Sequence, residues 1–430
     1  MKKTVLGISA VLATSLLATA CGSSSSSTAA SGGNSSSAGS ETITVASWND
    51  AADSLKAEIA GFNKKYPNIK VNIQYVDTNY TKIMPELASG SNVPDIIQTQ
   101  NRDFPAFMKK FPGEFVDITN QTKDLKDKFV ASAWEPVTGS DGKIYAMPWD
   151  LGPAAVYYRK DMFQQAGVDP NSIKTWDDFI KAGKRVEAKF PGVKMEGYQE
   201  ANFDPYEIFL NELAGNYVTS GGKIDITSSQ SKQALSLLQK MHKAGLLLDV
   251  KDWNGQITAI NNNKLASIIY PVWYAGTLMN SVKDQSGKWG IMPLPAFTAG
   301  GNNQANLGGS VLAITKQSKH PDAAWKFIQY SLATDEGESV MLKYGLFPSY
   351  TPFYSNAEFK KTNDYFGTPI YNFFASQTKN IPPLNHGPIM LDASKPLGDM
   401  EAAVLSGTSP DQATQTAAEA ISKSTGLPLK

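Results

Sequence analysis

Between residues 43 and 98 short β-branched runs alternate with helical spacing, and this alternation constrains the fold more than any other feature. Ile43-Thr44-Val45-Ala46 reads as a strand. Leu55, Ile59, Phe62 and Tyr66 then fall four, three and four apart on one helical face, which Pro67 ends. Val71, Ile73 and Tyr75 alternate as a second strand, and residues 80–88 read as a second helix closed by Ser89-Gly90. Pro94-Asp95-Ile96-Ile97-Gln98 is a third strand, short and apolar enough to be buried on both faces. The spacing predicts βαβ units, a mainly parallel sheet and an α/β fold. In such sheets ligands bind beyond the carboxyl ends of the strands. Those ends carry Trp48-Asn49-Asp50, Asp77-Thr78-Asn79-Tyr80 and Gln98-Thr99-Gln100-Asn101.

Residues 142–163 mark a change of direction. Expected strands at 144–147 and 154–158 flank Pro148-Trp149-Asp150-Leu151-Gly152-Pro153. A proline at each end removes a backbone donor, so the segment suits a hinge better than a continuous central strand. Gly152 permits dihedrals that other residues avoid. Trp149 beside Asp150 offers an apolar face next to a hydrogen-bonding carboxylate, a pair suited to a sugar.

After the hinge the alternation resumes. Thr175-Trp176-Asp177-Asp178 has the form of a capping box ahead of a helix, and helices follow at 204–213 and 229–244, the latter ended by Gly245. A strand at 265–270 runs into Pro271-Val272-Trp273-Tyr274. Gly308-Gly309 opens a strand at 310–315, an amphipathic stretch covers 321–342, and Ser409-Pro410 starts the last helix.

The first twenty residues set the expected address. Lys2 and Lys3 precede an apolar run at 5–18, the charged-then-apolar order of a secretory signal, too short to span a membrane. Cys21 is the single cysteine of 430 residues, so no intrachain disulfide forms. Its position resembles a bacterial lipobox, which implies a lipoprotein signal peptide over 1–20 and a lipid anchor on Cys21. Residues 21–40 are almost entirely Ser, Gly, Ala and Thr, and are expected to be a flexible tether. A coil of this length reaches roughly 25 Å root-mean-square. Lys plus Arg equals Asp plus Glu at 40 each, so no global field recruits nucleic acid. About 390 residues remain, a comfortable length for two lobes.

Several stretches, in order, resemble the extracellular solute-binding proteins of carbohydrate ABC importers, the group that includes maltose-binding protein. They are residues 43–49, Leu87-Ala88-Ser89-Gly90 with Pro94-Asp95-Ile96-Ile97, and Tyr145-Ala146-Met147-Pro148 with Tyr157-Tyr158-Arg159-Lys160-Asp161-Met162-Phe163. Thr175-Trp176-Asp177-Asp178-Phe179, Asn263-Lys264-Leu265-Ala266, and 289–297 through Leu307-Gly308-Gly309 to Thr334-Asp335-Glu336-Gly337 continue the series. The tail of the third strand departs from the family in lacking its aromatic-acidic pair.

The resemblance implies a two-lobed periplasmic-binding-protein-like fold with discontinuous lobes, three hinge crossovers and a central cleft. The lobes would be 41–150 plus 308–348 and 151–307 plus 349–430. The crossovers would lie at 148–153, near 306–308 and near 348–352. It also implies an extracytoplasmic, lipid-anchored monomer that binds a sugar and meets permease subunits, without a cofactor or metal.

A sugar needs aromatic faces and a fringe of hydrogen-bonding groups. Trp48, Trp149, Trp253, Trp273 and Tyr274 sit at expected strand ends or loops, whereas Trp134, Trp176, Trp289 and Trp325 read as packing residues. Trp273 leads the candidates, because the family keeps a stacking Trp after the corresponding Pro. Asn49, Tyr80, Gln98, Asn101, Asp150 and Asp204 supply polar groups at the cleft edge. Gly308 and Gly309 admit two readings, tight packing at a strand entry or backbone amides close to a ligand.

Two rival classes share these features. A glycosidase would need two carboxylates roughly 5–10 Å apart, and Asp50, Asp77, Asp150 and Asp204 are available. A binding protein for iron, polyamines or peptides would need a tyrosine cluster, an acidic pocket or a basic group. Tyr157-Tyr158 is adjacent on a strand and so points to opposite sides. Only His242, His320 and His386 occur, with no G-x-S-x-G, P-loop or H-E-x-x-H.

Overall fold

A computed structural model describes residues 40–199 and 202–430. The expected signal, Cys21 and residues 22–39 of the tether lie outside the described residues. The strands are β1 (Glu41–Ser47), β2 (Ile69–Tyr75), β3 (Ile96–Gln100), β4 (Met147–Pro148), β5 (Asp150–Leu151) and β6 (Ala154–Arg159). They continue with β7 (Glu196–Gln199), β8 (Leu247–Val250), β9 (Ser267–Pro271), β10 (Trp289–Met292), β11 (Ser310–Ile314) and β12 (Phe347–Pro348).

The first lobe is built on the sheet β2-β1-β3-β11-β4. β1 runs parallel to both neighbours, with Val45 opposite Ile73 on one side and Ile96 on the other. This is the βαβ pairing that the 43–98 alternation predicts. β11 returns antiparallel to β3 and carries β4 on its far edge. The helix Asn49–Lys65 buries Leu55 and Phe62, and Phe62 meets Phe327 of the helix Pro321–Leu332 edge-on at 5.1 Å. Chain from both 43–149 and 311–341 thus shares one core.

The second lobe has its own core, centred on β6 between β9 and β10. Both pairings are antiparallel, as Tyr157 opposite Ile268 and Ile291 illustrates; the parallel pairs are β1–β2 and β1–β3 in the first lobe and β7–β8 in the second, so the mainly parallel sheet expected from the alternation is realised only in part. The 175–178 capping box forms: Thr175 Oγ1 accepts from the Asp178 N–H, and the Asp178 carboxylate accepts from the Thr175 N–H. The 321–342 stretch splits into Pro321–Leu332 and Asp335–Lys343, with Thr334 capping the second helix. The helix expected at 80–88 begins at Ile83, because Tyr80 has φ 59°. Among the described residues no helix is long and apolar enough to cross a membrane.

The three crossover segments touch one another. β5 pairs antiparallel with β12, Leu151 opposite Phe347 and Asp150 opposite Pro348. Pro153 bridges Asn306, the Gly152 N–H donates to Asn306 Oδ1 at 2.9 Å, and the Leu307 N–H donates to the Gly152 carbonyl at 2.9 Å. A Cβ on Gly152 would stand 1.9 Å from the Leu307 carbonyl oxygen. Close approach, and not an unusual dihedral, is therefore what requires glycine at 152, since its φ is not positive.

Beneath the hinge, Glu58 and Glu338 are both buried, on the packed helices Asn49–Lys65 and Asp335–Lys343. Both oxygens of Glu338 lack a hydrogen-bond partner among the described residues. Burial pushes Glu58 from 4.5 up to about 8 and lifts Glu338 well above the carboxylate range, with Glu58 adding to the second shift. A raised folded-state pKa gives stability that is complete below about pH 4.5 and lost as pH rises through about 8. For a shift of this size the Glu58 loss is at most about 5 kcal/mol. Thermal melts from pH 5 to 8.5 should show a falling melting temperature, with a smaller fall in Glu58→Gln. Identical pH profiles for the two proteins would contradict this account.

Candidate functional site

The carboxyl ends of β1, β2 and β3 open onto a cavity of about 400 Å³ between the lobes. The first lobe contributes Trp48, Asn49, Asp50, Thr78, Gln98, Gln100 and Arg102; the second contributes Asp204 and Trp273; Asp150 and Leu307 to Ser310 close it at the hinge. A second gap of about 560 Å³ lies behind the helix Phe104–Lys110 and includes Lys109, Glu135, Tyr145 and Asn385. It has no tryptophan and touches none of the strand ends, so the smaller cavity is the better candidate.

Trp48 leads into the helix Asn49–Lys65 and lines the cavity, backed by Tyr80 at 5.8 Å in a T-shaped contact. Asn49 is exposed and holds φ 47° at the turn from strand to helix. Across the cavity Trp273 is half-buried, and its indole N–H donates to the Leu307 carbonyl at 3.4 Å. Asp204 opens the helix Asp204–Glu212 and accepts from the Tyr270 hydroxyl at 3.2 Å. Gly308 and Gly309 have φ 79° and 108°, and a Cβ on Gly309 would lie 2.5 Å from the Asp150 carbonyl oxygen. The packing reading of these glycines thus has a direct cause, and both also line the cavity.

Other candidates are not brought into the cavity. Trp149 is fully buried in the first core with its indole N–H directed at Met341 Sδ. Successive residues of an extended chain point to opposite faces, so Trp149 and Asp150 do not share the cleft. Asp150 does reach the lining, and its carboxylate accepts from the Ser310 N–H at 2.7 Å; burial pushes it up to about 6. Tyr80 is buried, donates to Asp103 Oδ2 at 2.7 Å and supports Trp48 from behind. Tyr274 is fully buried against Tyr270 at 4.9 Å. Trp253 opens the helix Trp253–Asn261 and packs on Trp273 at 6.1 Å, outside the cavity lining.

Asn101 faces a separate 30 Å³ void, and its amide is taken by the Gly308 carbonyl and the Arg102 N–H. Gln98 lies in the cavity floor, with its amide engaged by Ser47, the Trp48 N–H and Ser310. Both amides fix the loops that carry the site.

Residues 46–338 match the family described as bacterial extracellular solute-binding protein. The chain belongs to that family. An arabinooligosaccharide-binding protein of Bacillus subtilis is 28% identical over 361 residues, covering 80% of this chain and 83% of that protein. A lactose-binding protein of Rhizobium radiobacter is 27% identical over 361 residues, covering 81% and 84%. The solved ABC-transporter-associated binding protein of B. animalis subsp. lactis, in complex with β-1,6-galactobiose, is 29% identical and covers 91% of this chain and 99% of its own. Its TM-score is 0.72, so the two-lobed fold of solute-binding proteins is shared.

One residue of this solute-binding protein escapes any sequence pattern. Arg102 follows the third strand in the first lobe, yet its guanidinium lies 5.4 Å from the centre of the Phe203 ring in the second. Burial opposes its charge, but Glu207, Asp103 and Asp204 together raise its pKa. Burial likewise raises Asp204, with Arg102 pulling the other way. Glu207 is held below the usual range against burial, chiefly by His386 and Arg102, and accepts from the Tyr217 hydroxyl at 2.9 Å. Arg102 thus sets a cation of one lobe near the carboxylates of the other, while its ion pair among the described residues, at 3.9 Å, is with Asp103 of its own lobe. Removing one partner of a buried ionic group leaves the rest uncompensated. Arg102→Met should cost about 1–3 kcal/mol in urea unfolding; an unchanged midpoint would show that solvent already neutralises Asp204 and Glu207.

Proposed function

We propose that this solute-binding protein captures a saccharide in the cavity lined by Trp48 and Trp273 and delivers it to an ABC importer. The observation that carries the reading is the pairing of two tryptophans from different cores on one cavity, with Arg102, Asp204, Thr78 and Gln100 between them. Indole faces match the apolar face of a sugar ring, and the charged and amide groups match its hydroxyls. The ligands of the relatives, arabinooligosaccharide, lactose and β-1,6-galactobiose, are all saccharides.

The lobes run 41–150 plus 308–348 and 151–307 plus 349–430, with the crossovers as hinges that absorb dihedral change during closure. Differential contact with both lobes lets the ligand shift the population toward the closed form that the permease reads. The protein binds without turning its ligand over, needs no cofactor, acts as a monomer, and is held to the outer face of the membrane through a lipid on Cys21.

Isothermal titration with β-1,6-galactobiose and arabinobiose tests the site. Trp273→Ala should weaken the bound saccharide by about 1–3 kcal/mol, the scale of one stacked ring on an aromatic side chain. An unchanged Kd would assign Trp273 to the core alone, and release of monosaccharide on incubation would replace binding with hydrolysis.

A further inference from the structure

The lining of the cleft carries three carboxylates, Asp50, Asp150 and Asp204, against one cation, Arg102. That cation is already answered. Burial opposes its charge, while Glu207, Asp103 and Asp204 uphold it. Asp103 does so as an ion pair at 3.9 Å, and the guanidinium packs over the Phe203 ring at 5.4 Å. A ligand carboxylate would have to compete with these partners to use it.

Two helices also begin at the cavity. Asn49, Asp50 and Ala51 open the helix Asn49–Lys65, Asp204 opens the helix Asp204–Glu212, and neither start has a side-chain cap. Helix starts are where folds take up anions, because their amides are unpaired and the dipole presents about half a positive charge. Here each first turn carries its own carboxylate, Asp50 in one and Asp204 with Glu207 in the other. A whole negative charge outweighs about half a positive one, so neither terminus is left to attract an anion. At the hinge the Asp150 carboxylate occupies the Ser310 N–H at 2.7 Å, a donor on the same lining. The other polar side chains of the lining, Thr78 and Gln100 among them, suit uncharged hydroxyls.

We infer that the cleft selects uncharged saccharides and rejects those that carry a uronate, and that Asp204 sets this selection. The inference rests on the saccharide reading proposed above and deepens it to a substrate class. Asp204 is the lining carboxylate on the same wall as Trp273, and it is buried where Asp50 is exposed. A uronate brought against that wall meets a like charge that solvent screens poorly.

Calorimetric titration of the whole mature protein tests it with β-1,6-galactobiose and two forms oxidised at C6 of the non-reducing unit, the uronate and its uncharged uronamide. Carboxylate and amide have nearly the same shape, so the ratio of their affinities isolates charge. The uronate should bind at least about thirtyfold more weakly than the uronamide. Asp204→Asn should shrink that ratio by roughly tenfold, whatever it does to the neutral biose, and Asp50→Asn by no more than about threefold. The wild-type ratio decides the charge claim even if a variant fails to fold. Equal binding of uronate and uronamide, or a ratio that Asp204→Asn leaves unchanged, would overturn the inference and leave saccharide binding intact. A biose that binds while both oxidised forms fail alike would place the exclusion in shape and also overturn it. Arabinobiose and its forms oxidised at the terminal C5 repeat the comparison. Binding of neither biose would remove the saccharide reading itself, and the selection with it.

Discussion

The organisation of this protein depends on the close approach of Gly152 to the Leu307 carbonyl. Residue 152 has room for a hydrogen and nothing larger, and reciprocal hydrogen bonds with Asn306 and Leu307 hold two crossovers side by side. The short β5–β12 pairing adds the third. Outgoing and returning chains are therefore bound together at one place, while each lobe keeps its own buried cluster. The same segment also shapes the site: Asp150 holds the Ser310 N–H, and its carbonyl leaves no space for a side chain at 309.

From this hinge the polar and aromatic parts of the cleft follow. The parallel strands of the first lobe end together, which brings Trp48, Thr78, Gln100 and Arg102 to one wall. The opposite wall has a backing layer in which Trp253, Tyr270 and Tyr274 support Trp273. Arg102 reaches across toward Phe203, Asp204 and Glu207, so the two walls are electrostatically complementary as well as apolar.

Much of this was legible in the sequence, and the failures have physical causes. The spacing of Leu55 and Phe62 and the alternation of Val71 and Ile73 specify the first sheet, and the rule for parallel strands then points to Trp48 and Thr78. The antiparallel strands β11, β6, β9 and β10 were not legible, because a period of two records which side chains are buried but not strand direction. Trp149 was misplaced by parity: its neighbour Asp150 takes the cleft face, so the indole enters the core. Tyr274 and Tyr80 have the composition of ligand contacts but the burial of supports. Arg102 carried no signal, since its partners lie about a hundred residues away and only the fold brings them near.

The most direct measurement is a crystal structure of the protein grown with β-1,6-galactobiose or an arabinooligosaccharide. The account predicts saccharide density in the cavity, with one ring against Trp273, polar contacts to Arg102 or Asp204, and the three crossovers still bonded at Gly152. Saccharide bound only in the gap behind the helix Phe104–Lys110, or a cleft that stays empty at saturating saccharide, would contradict it.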